Sequence, residues 1–324
     1  MAYSTTHSSD RSDRPEQLDP TGQVDLEDAV AVERAVCTIL DRQYAGDYDI
    51  ALLRSSMADL VRAYQGEYPG LLHCDGLYHD LRHALEAGLT MARLLDGYAL
   101  THPPGSRTGI DAHHALLGIL LAFFHDIGMI RRDNEESLWG PVLTPVHEER
   151  GVEFMQAYLE NTALSSLLGE SKLIMATKLI YKIPADWSAA ERMLASMVAT
   201  ADLVSQISDR CYLEKCRDFL FPEFCAFGLA GKPDSTYPDR QTLLEKTPEF
   251  VESFVQNRMD EEFQGVRRYL QVHMGGTDPW QEITQRNIGY LKTLLENHDL
   301  GRLLRNPTYY MGSAPHEIPD EFRE

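Results

Sequence analysis

Apolar residues recur every three or four positions through most of the chain, in segments such as LEDAVAVERAVCTILDRQY, DIALLRSSMADLVRAY, HHALLGILLAFFHD and AAERMLASMVATADLVSQISDRCYLEKCRDFL. That is the helical period, and almost nothing alternates at period two. Breakers punctuate the segments: YPGLL, THPPGSRTG, WGPVLTP, IPAD, GKPDSTYPDR and MGGTDP. The pattern predicts an all-α, compact multi-helix bundle of roughly ten to thirteen helices. With no internal repeat and no linker rich in Gly and Ser, it reads as one helical domain over residues 26–305, and the loop 229–242 is the only weak candidate for a boundary. Residues 1–25, polar and rich in Ser, Asp and Pro, read as a disordered arm, and 306–324 as a C-terminal tail.

Composition narrows the class. A chain of 324 residues, 43% hydrophobic and 25% charged, can bury a sizeable core. No apolar run approaches the roughly 20 residues of a membrane span, and residues 1–25 lack the apolar stretch of a secretory signal, so a cytoplasmic location is expected. Thirty Lys and Arg stand against fifty Asp and Glu, a net charge of −20. A surface that acidic repels long nucleic acids and anionic membranes. A small phosphorylated substrate remains open to it if the site supplies local positive charge, most simply from metal ions. The cysteines Cys37, Cys74, Cys211, Cys216 and Cys225 are odd in number and form no CxxC pair, which suits free thiols in a reducing compartment.

Candidate chemistry begins with LYHDLRHALEAGLTMARLL, where His79 and His83 stand four apart. In a helix both would project from one face. Alone, such a pair is a common surface or core feature. The run ALLGILLAFFHDIGM adds context: an apolar helix ends in His125 and Asp126 before Gly128 can break it, delivering an imidazole and a carboxylate into low dielectric. A buried carboxylate calls for a cation, and metal ligation is the economical account. His-Asp also occurs at 79–80 and 298–299, so context alone singles out 125–126. Asp202, inside the run MLASMVATADLVSQIS, completes a set of two histidines and two carboxylates with His83, His125 and Asp126. Mixed N and O ligands suit Zn, Mn, Fe, Ni or Mg without choosing among them. His113 is twelve residues of helix from His125, about 18 Å, too far to share an ion, and is read with His114 as structural.

The order H…HD…D resembles the pattern of HD-domain metal-dependent phosphohydrolases, and several stretches are similar to the catalytic domain of class I cyclic-nucleotide phosphodiesterases. YHDLRHA at 78–84 resembles YHNxxHA, HDIG resembles HDxxHPG, and MVATADL at 197–203 resembles MVHCADLSNP. LIMATKLIYK is similar to IVLATDMSKH, and EKTPEFVESFV at 245–255 to EKSQxGFIDFI, all collinear over about residues 75–255. The resemblance implies that His83, His125, Asp126 and Asp202 ligate the tighter of one or two divalent metals, that Asp126 bridges to the second, and that His79 is the general acid. His147 matches in position a histidine that many HD proteins use near the second metal. Two ions about 3.5–4 Å apart can hold a bridging hydroxide for in-line displacement, and His79 can protonate the leaving alkoxide.

Three positions depart from that pattern. Met129 stands where the second histidine of HDxxH is expected, Lys178 replaces the Asp of ATDMSKH, and Pro248 falls at or near the purine-binding glutamine. Lys178 either weakens a second ion or contacts a substrate phosphate in its place. Tyr78, Arg131 and Lys178 are candidate substrate contacts, with Phe124, Arg132, Tyr181 and Phe254 further pocket candidates. The expected function is a metal-dependent phosphohydrolase acting on a small phosphorylated substrate, a cyclic or related nucleotide. The alternatives are a mixed-valence diiron oxygenase, disfavoured because only His147 lies between residues 126 and 202, and a ligand-binding module whose catalysis has decayed.

Overall fold

Aspartates start the helices. Asp28, Asp49, Asp80, Asp111, Asp239 and Asp278 each accept a backbone N–H of the first turn, and Ser188 forms a reciprocal capping box with Glu191. Part of the chain's acidity therefore sits where a helix N-terminus favours it. The computed structural model describes residues 15–307, 318–319 and 322. Among them are eleven α-helices and no strand, as the apolar period predicts. The helices are α1 (Ala29–Tyr44), α2 (Ile50–Gln65), α3 (Leu81–Thr101), α4 (Ala112–Phe123), α5 (His147–Leu159), α6 (Ala189–Ile207), α7 (Tyr212–Lys215), α8 (Phe221–Ala226), α9 (Arg240–Glu249), α10 (Arg268–His273) and α11 (Pro279–Glu296). Tight 3-10 turns fill Ser165–Thr177, and wide turns join α7 to α8 over Cys216–Leu220.

Helix α3 is the hub, buried from Leu81 to Ala99 and packed against α1, α4, α6 and α10. Its glycines set the spacing. A Cβ at Gly88 would stand 2.2 Å from the Phe123 ring of α4, and one at Gly97 would stand 1.9 Å from the Tyr269 carbonyl oxygen of α10. A buried helix carries charge only when the charge is paired. Arg82 pairs with Asp209, which also receives Lys215 Nζ at 2.6 Å, Arg93 pairs with Asp19 at 2.6 Å, and Asp96 with His273 at 2.6 Å. The Arg82–Asp209 pair ties the start of α3 to the loop after α6, the two elements that carry His83 and Asp202.

The stretch Ala112–Met129 is long and apolar enough, by length and composition, to cross a membrane, but 89% of it is buried within the bundle. It packs as core against α3 and α6.

One expectation changes. Residues 15–25 are not a disordered arm: Asp19 is fully buried, accepting N–H groups of Thr21, Gln23 and Val24 as well as Arg93, while Arg210 donates to the carbonyls of Leu18 and Asp19. Ionic anchors hold this polar segment where apolar ones are few. Residues 1–14 lie outside the described residues, as does most of the tail, of which Ile318 and Phe322 pack on a small cluster of Leu77, Tyr78, Trp139 and Phe219.

Candidate metal centre

Three turns and one helix interior converge at the centre of the bundle. Helix α3 begins at Leu81, capped by Asp80, whose Oδ1 accepts the His83 N–H at 3.0 Å. His83 thus lies in the first turn, and His79 precedes the cap. The reading of His79 and His83 as an i, i+4 pair on one helix face is therefore corrected: Asp80 ends the extended segment and starts the helix between them. Their ring centroids still lie 6.1 Å apart, because the loop turns back over the helix end. Helix α4 likewise stops at Phe123, so His125 and Asp126 stand in the turn beyond it rather than at its end.

Gly128 closes that turn against α5. A Cβ there would lie 1.9 Å from the His147 carbonyl oxygen, an approach only glycine permits. The contact presents His147, the first residue of α5, to Asp126. Asp202 comes from the middle of α6, held by Gln206 Nε2 donating to its Oδ1 at 2.6 Å.

His125 Nε2 lies 3.0 Å from Asp126 Oδ2 and 3.5 Å from Asp202 Oδ1, and His83 Nε2 lies 3.5 Å and 3.2 Å from the same two oxygens. His147 Nε2 faces the other oxygen of Asp126, Oδ1, at 3.3 Å. These approaches have ion-pair distance without hydrogen-bond alignment at three of the atoms: His83 Nε2, His125 Nε2 and Asp126 Oδ2 are buried and make no hydrogen bond. His125 Nδ1–H donates to the Ala122 carbonyl at 2.8 Å and His147 Nδ1–H to the Thr144 carbonyl at 2.6 Å. Each bond fixes its ring so that Nε2 faces the carboxylates. The group His83, His125 and Asp126 can hold a metal ion, and Asp202 Oδ1 adjoins it within 3.5 Å of both imidazoles.

In the protein alone the charges balance internally. Burial by itself lowers the His125 pKa, but Asp126 and Asp202 outweigh it and hold the value well above the ordinary histidine range. Burial raises Asp126 and Asp202, yet His125, with His147 for the former and His83 for the latter, holds both below the usual carboxylate range. A divalent ion would compete with that proton, since ligating imidazole must be neutral.

His79 has a partner that the sequence reading missed. Its Nδ1–H donates to Glu223 Oε2 at 2.5 Å, and Glu223 Oε1 accepts the N–H groups of Leu77 and Tyr78 at 2.6 and 2.8 Å. Burial lowers the His79 pKa, but the charge and hydrogen bond of Glu223 overcome it and bring the value up to about 9. A signal was present: Glu223 is the lone charge in the apolar run Phe219–Ala230, the same anomaly that marks Asp202.

Other candidates lie elsewhere or are already engaged. Tyr78 is buried, its ring edge-on to His79 at 5.2 Å and its hydroxyl on Gln206, so it walls the site. Lys178 Nζ binds Glu149 at 2.7 Å and lies 3.5 Å from Glu148 Oε2, which is itself 3.4 Å from His147 Nδ1. Arg131 pairs with Asp75 and holds the carbonyls of Glu136 and Leu138, a loop anchor. Arg132 pairs with Glu153, Phe124 stacks on Phe154 in the core, Phe254 stacks on Phe250, and Tyr181 lies beside Trp187. Pro248 is buried within α9 and Met129 is buried after the His-Asp turn. His113 and His114 are remote, the latter bridging Asp111 and Glu170.

No protein-family model, curated protein or solved structure matches the chain.

Proposed function

We propose that the chain is a metal-dependent phosphohydrolase that cleaves a phosphoester of a small nucleotide, most simply a cyclic one. The observation that carries this is the convergence of His83 Nε2, His125 Nε2 and Asp126 Oδ2, buried and without hydrogen bonds, beside a histidine whose carboxylate partner favours its protonated form. An unpaired buried polar atom costs about 1–3 kcal/mol, and a cation shared by His83, His125, Asp126 and Asp202 satisfies the three together. A divalent ion held there supplies Lewis acidity toward a phosphoryl oxygen. His147 and the two oppositely facing oxygens of Asp126 support room for a second ion.

His79 supplies the proton. Glu223 occupies its Nδ1–H, which leaves the Nε2–H as the one to donate, and a pKa near 9 keeps that proton in place at neutral pH. Such an acid matters most when the leaving group is an alkoxide, the more basic class of leaving oxygen. That favours an alkyl phosphoester such as a ribose ester over an anhydride. Tyr78 and Gln206 hold Asp202 and close one side of the site.

The test is elemental analysis of protein purified without chelator, followed by assay with cAMP, cGMP, nucleoside monophosphates and a chromogenic phosphodiester. Stoichiometric divalent metal and turnover that needs His79 are the expected result. Iron-rich protein that consumes O₂, or ligand binding without turnover across the panel, would replace this reading with the oxygenase or the binding module.

A further inference from the structure

A cleft of about 350 Å³ lies between the N-terminal turn, α1, α3 and the end of α10. In a chain of net charge −20 its lining is basic: Arg34, Arg42, Arg93 and His273 line it, and no carboxylate does. Arg34 and Arg42 are exposed at the rim on α1. Arg34 pairs with no carboxylate among the described residues, and Arg42 reaches Asp96 only at 3.7 Å.

Arg93 is the built element. Its side chain is 5% exposed, its Cζ lies over the Trp280 ring 5.2 Å from the centroid, and Nη2 pairs with Asp19 at 2.6 Å. Nη1, the other arm of the fork, is buried and has no hydrogen-bond partner. His273 is also buried, with Nδ1 committed to Asp96 at 2.6 Å, which leaves Nε2 as its second polar atom. Asp19 and Asp96, behind the lining, are thus already bound, and Glu86, the other carboxylate that acts on Arg93, is met by Arg82 at 3.9 Å, so the three guanidiniums still leave the cleft positive. Two rim arginines and an imidazole, with the charge of the buried Arg93 guanidinium behind them, form the positive lining that suits a multiply charged oxyanion.

We propose that this cleft binds a phosphate-type oxyanion, free or as the phosphoryl group of a small metabolite, at a site separate from the His–Asp cluster. Arg93 stands ten positions beyond His83 on α3, about 15 Å along the helix. The two sites share a buried rod but no ligand, and this inference does not depend on the hydrolase reading.

The experiment titrates inorganic phosphate, pyrophosphate and ribose 5-phosphate into the full chain, stripped of metal on chelating resin, and follows binding by calorimetry. Stripping prevents phosphate from being held through a metal at the His–Asp cluster. Saturable binding of one equivalent is expected, and the best of the three probes distinguishes a free ion from a metabolite. Arg34→Gln and Arg42→Gln, both at exposed positions that leave the core intact, should each weaken it about tenfold, as loss of one charge-assisted contact does. Arg93→Lys should weaken it at least as much, and Arg286→Gln, exposed on α11, should leave it unchanged. Absence of saturable binding by all three probes, or equal weakening by Arg286→Gln and the rim variants, would overturn the proposal.

Discussion

His79 and Glu223, 144 residues apart in sequence, share a 2.5 Å hydrogen bond from Nδ1–H to Oε2. The carboxylate cannot rotate away, because two backbone N–H groups hold its other oxygen. The pair therefore sets both the direction and the charge of the imidazole. Glu223→Gln keeps the shape and removes the charge, so the His79 pKa should fall from about 9 toward its ordinary 6.5. A general acid works while protonated, so the alkaline limb of the pH–rate profile should move down with it, and NMR titration of His79 should track the same change. His79→Ala should keep bound metal and lose turnover by about 10²–10⁴-fold. An alkaline limb unmoved by Glu223→Gln would remove His79 from the acid role.

Metal and ligands should stand or fall together. His83→Ala, His125→Ala, Asp126→Ala and Asp202→Ala should each lose metal by elemental analysis and lose hydrolysis. Added divalent ion should raise the Tm of the wild-type chain, by a free energy of about 2.7 kcal/mol at a hundredfold excess over Kd, and should leave the Asp126→Ala variant unmoved. Binding should release protons, since the elevated His125 pKa means that the ion displaces one. Full activity in Asp126→Ala would end the metal account.

The helices and the members of the His–Asp cluster were legible because both leave local marks. Apolar period three-to-four marks α3, α4 and α6, and a charge inside an apolar run marks Asp126 and Asp202. Glu223 carries the same mark, but its partner lies 144 residues upstream and no local pattern connects them. The placement of His79 turns on a competition that spacing alone does not resolve: four residues fit one helical turn, while Asp80 also fits an N-cap, and the cap prevails. The packed segment 15–25 was hidden for a similar reason. Its anchors are ionic, and Arg82, Arg93 and Arg210 approach it from distant parts of the chain.

Gly128 should behave as a positioning residue. Gly128→Ala sets a Cβ against the His147 carbonyl, and the strain of forcing α5 away should cost about 1–3 kcal/mol. Because α5 begins at His147, the shift should also draw Nε2 off Asp126 Oδ1. His147→Ala, which leaves the backbone contact alone, should reproduce the loss of metal stoichiometry or affinity without the loss of stability. Denaturant unfolding and elemental analysis on both variants separate the two effects; equal destabilisation by both would show that the imidazole, rather than the backbone contact, carries the stability.

His114 offers a pH test away from the centre. Its imidazole lies 3.4 Å from Glu170 Oε1 and 2.8 Å from Asp111 Oδ2, joining the start of α4 to the 3-10 turns of residues 165–177. The Glu170 hydrogen bond, opposed by partial burial and reinforced by Asp111, raises its pKa to about 9. A histidine raised on folding stabilises the fold fully below its unfolded value of 6.5 and ceases to do so as pH rises through about 9. Solvent screening of this partly exposed group limits the gain to about 1 kcal/mol. Urea unfolding of the wild type and His114→Gln should therefore differ by up to that amount at pH 6, and the gap should close between pH 6.5 and 9.5 while titrations common to both chains cancel. A gap that widens with pH would reverse the sign and show that the imidazole is held neutral.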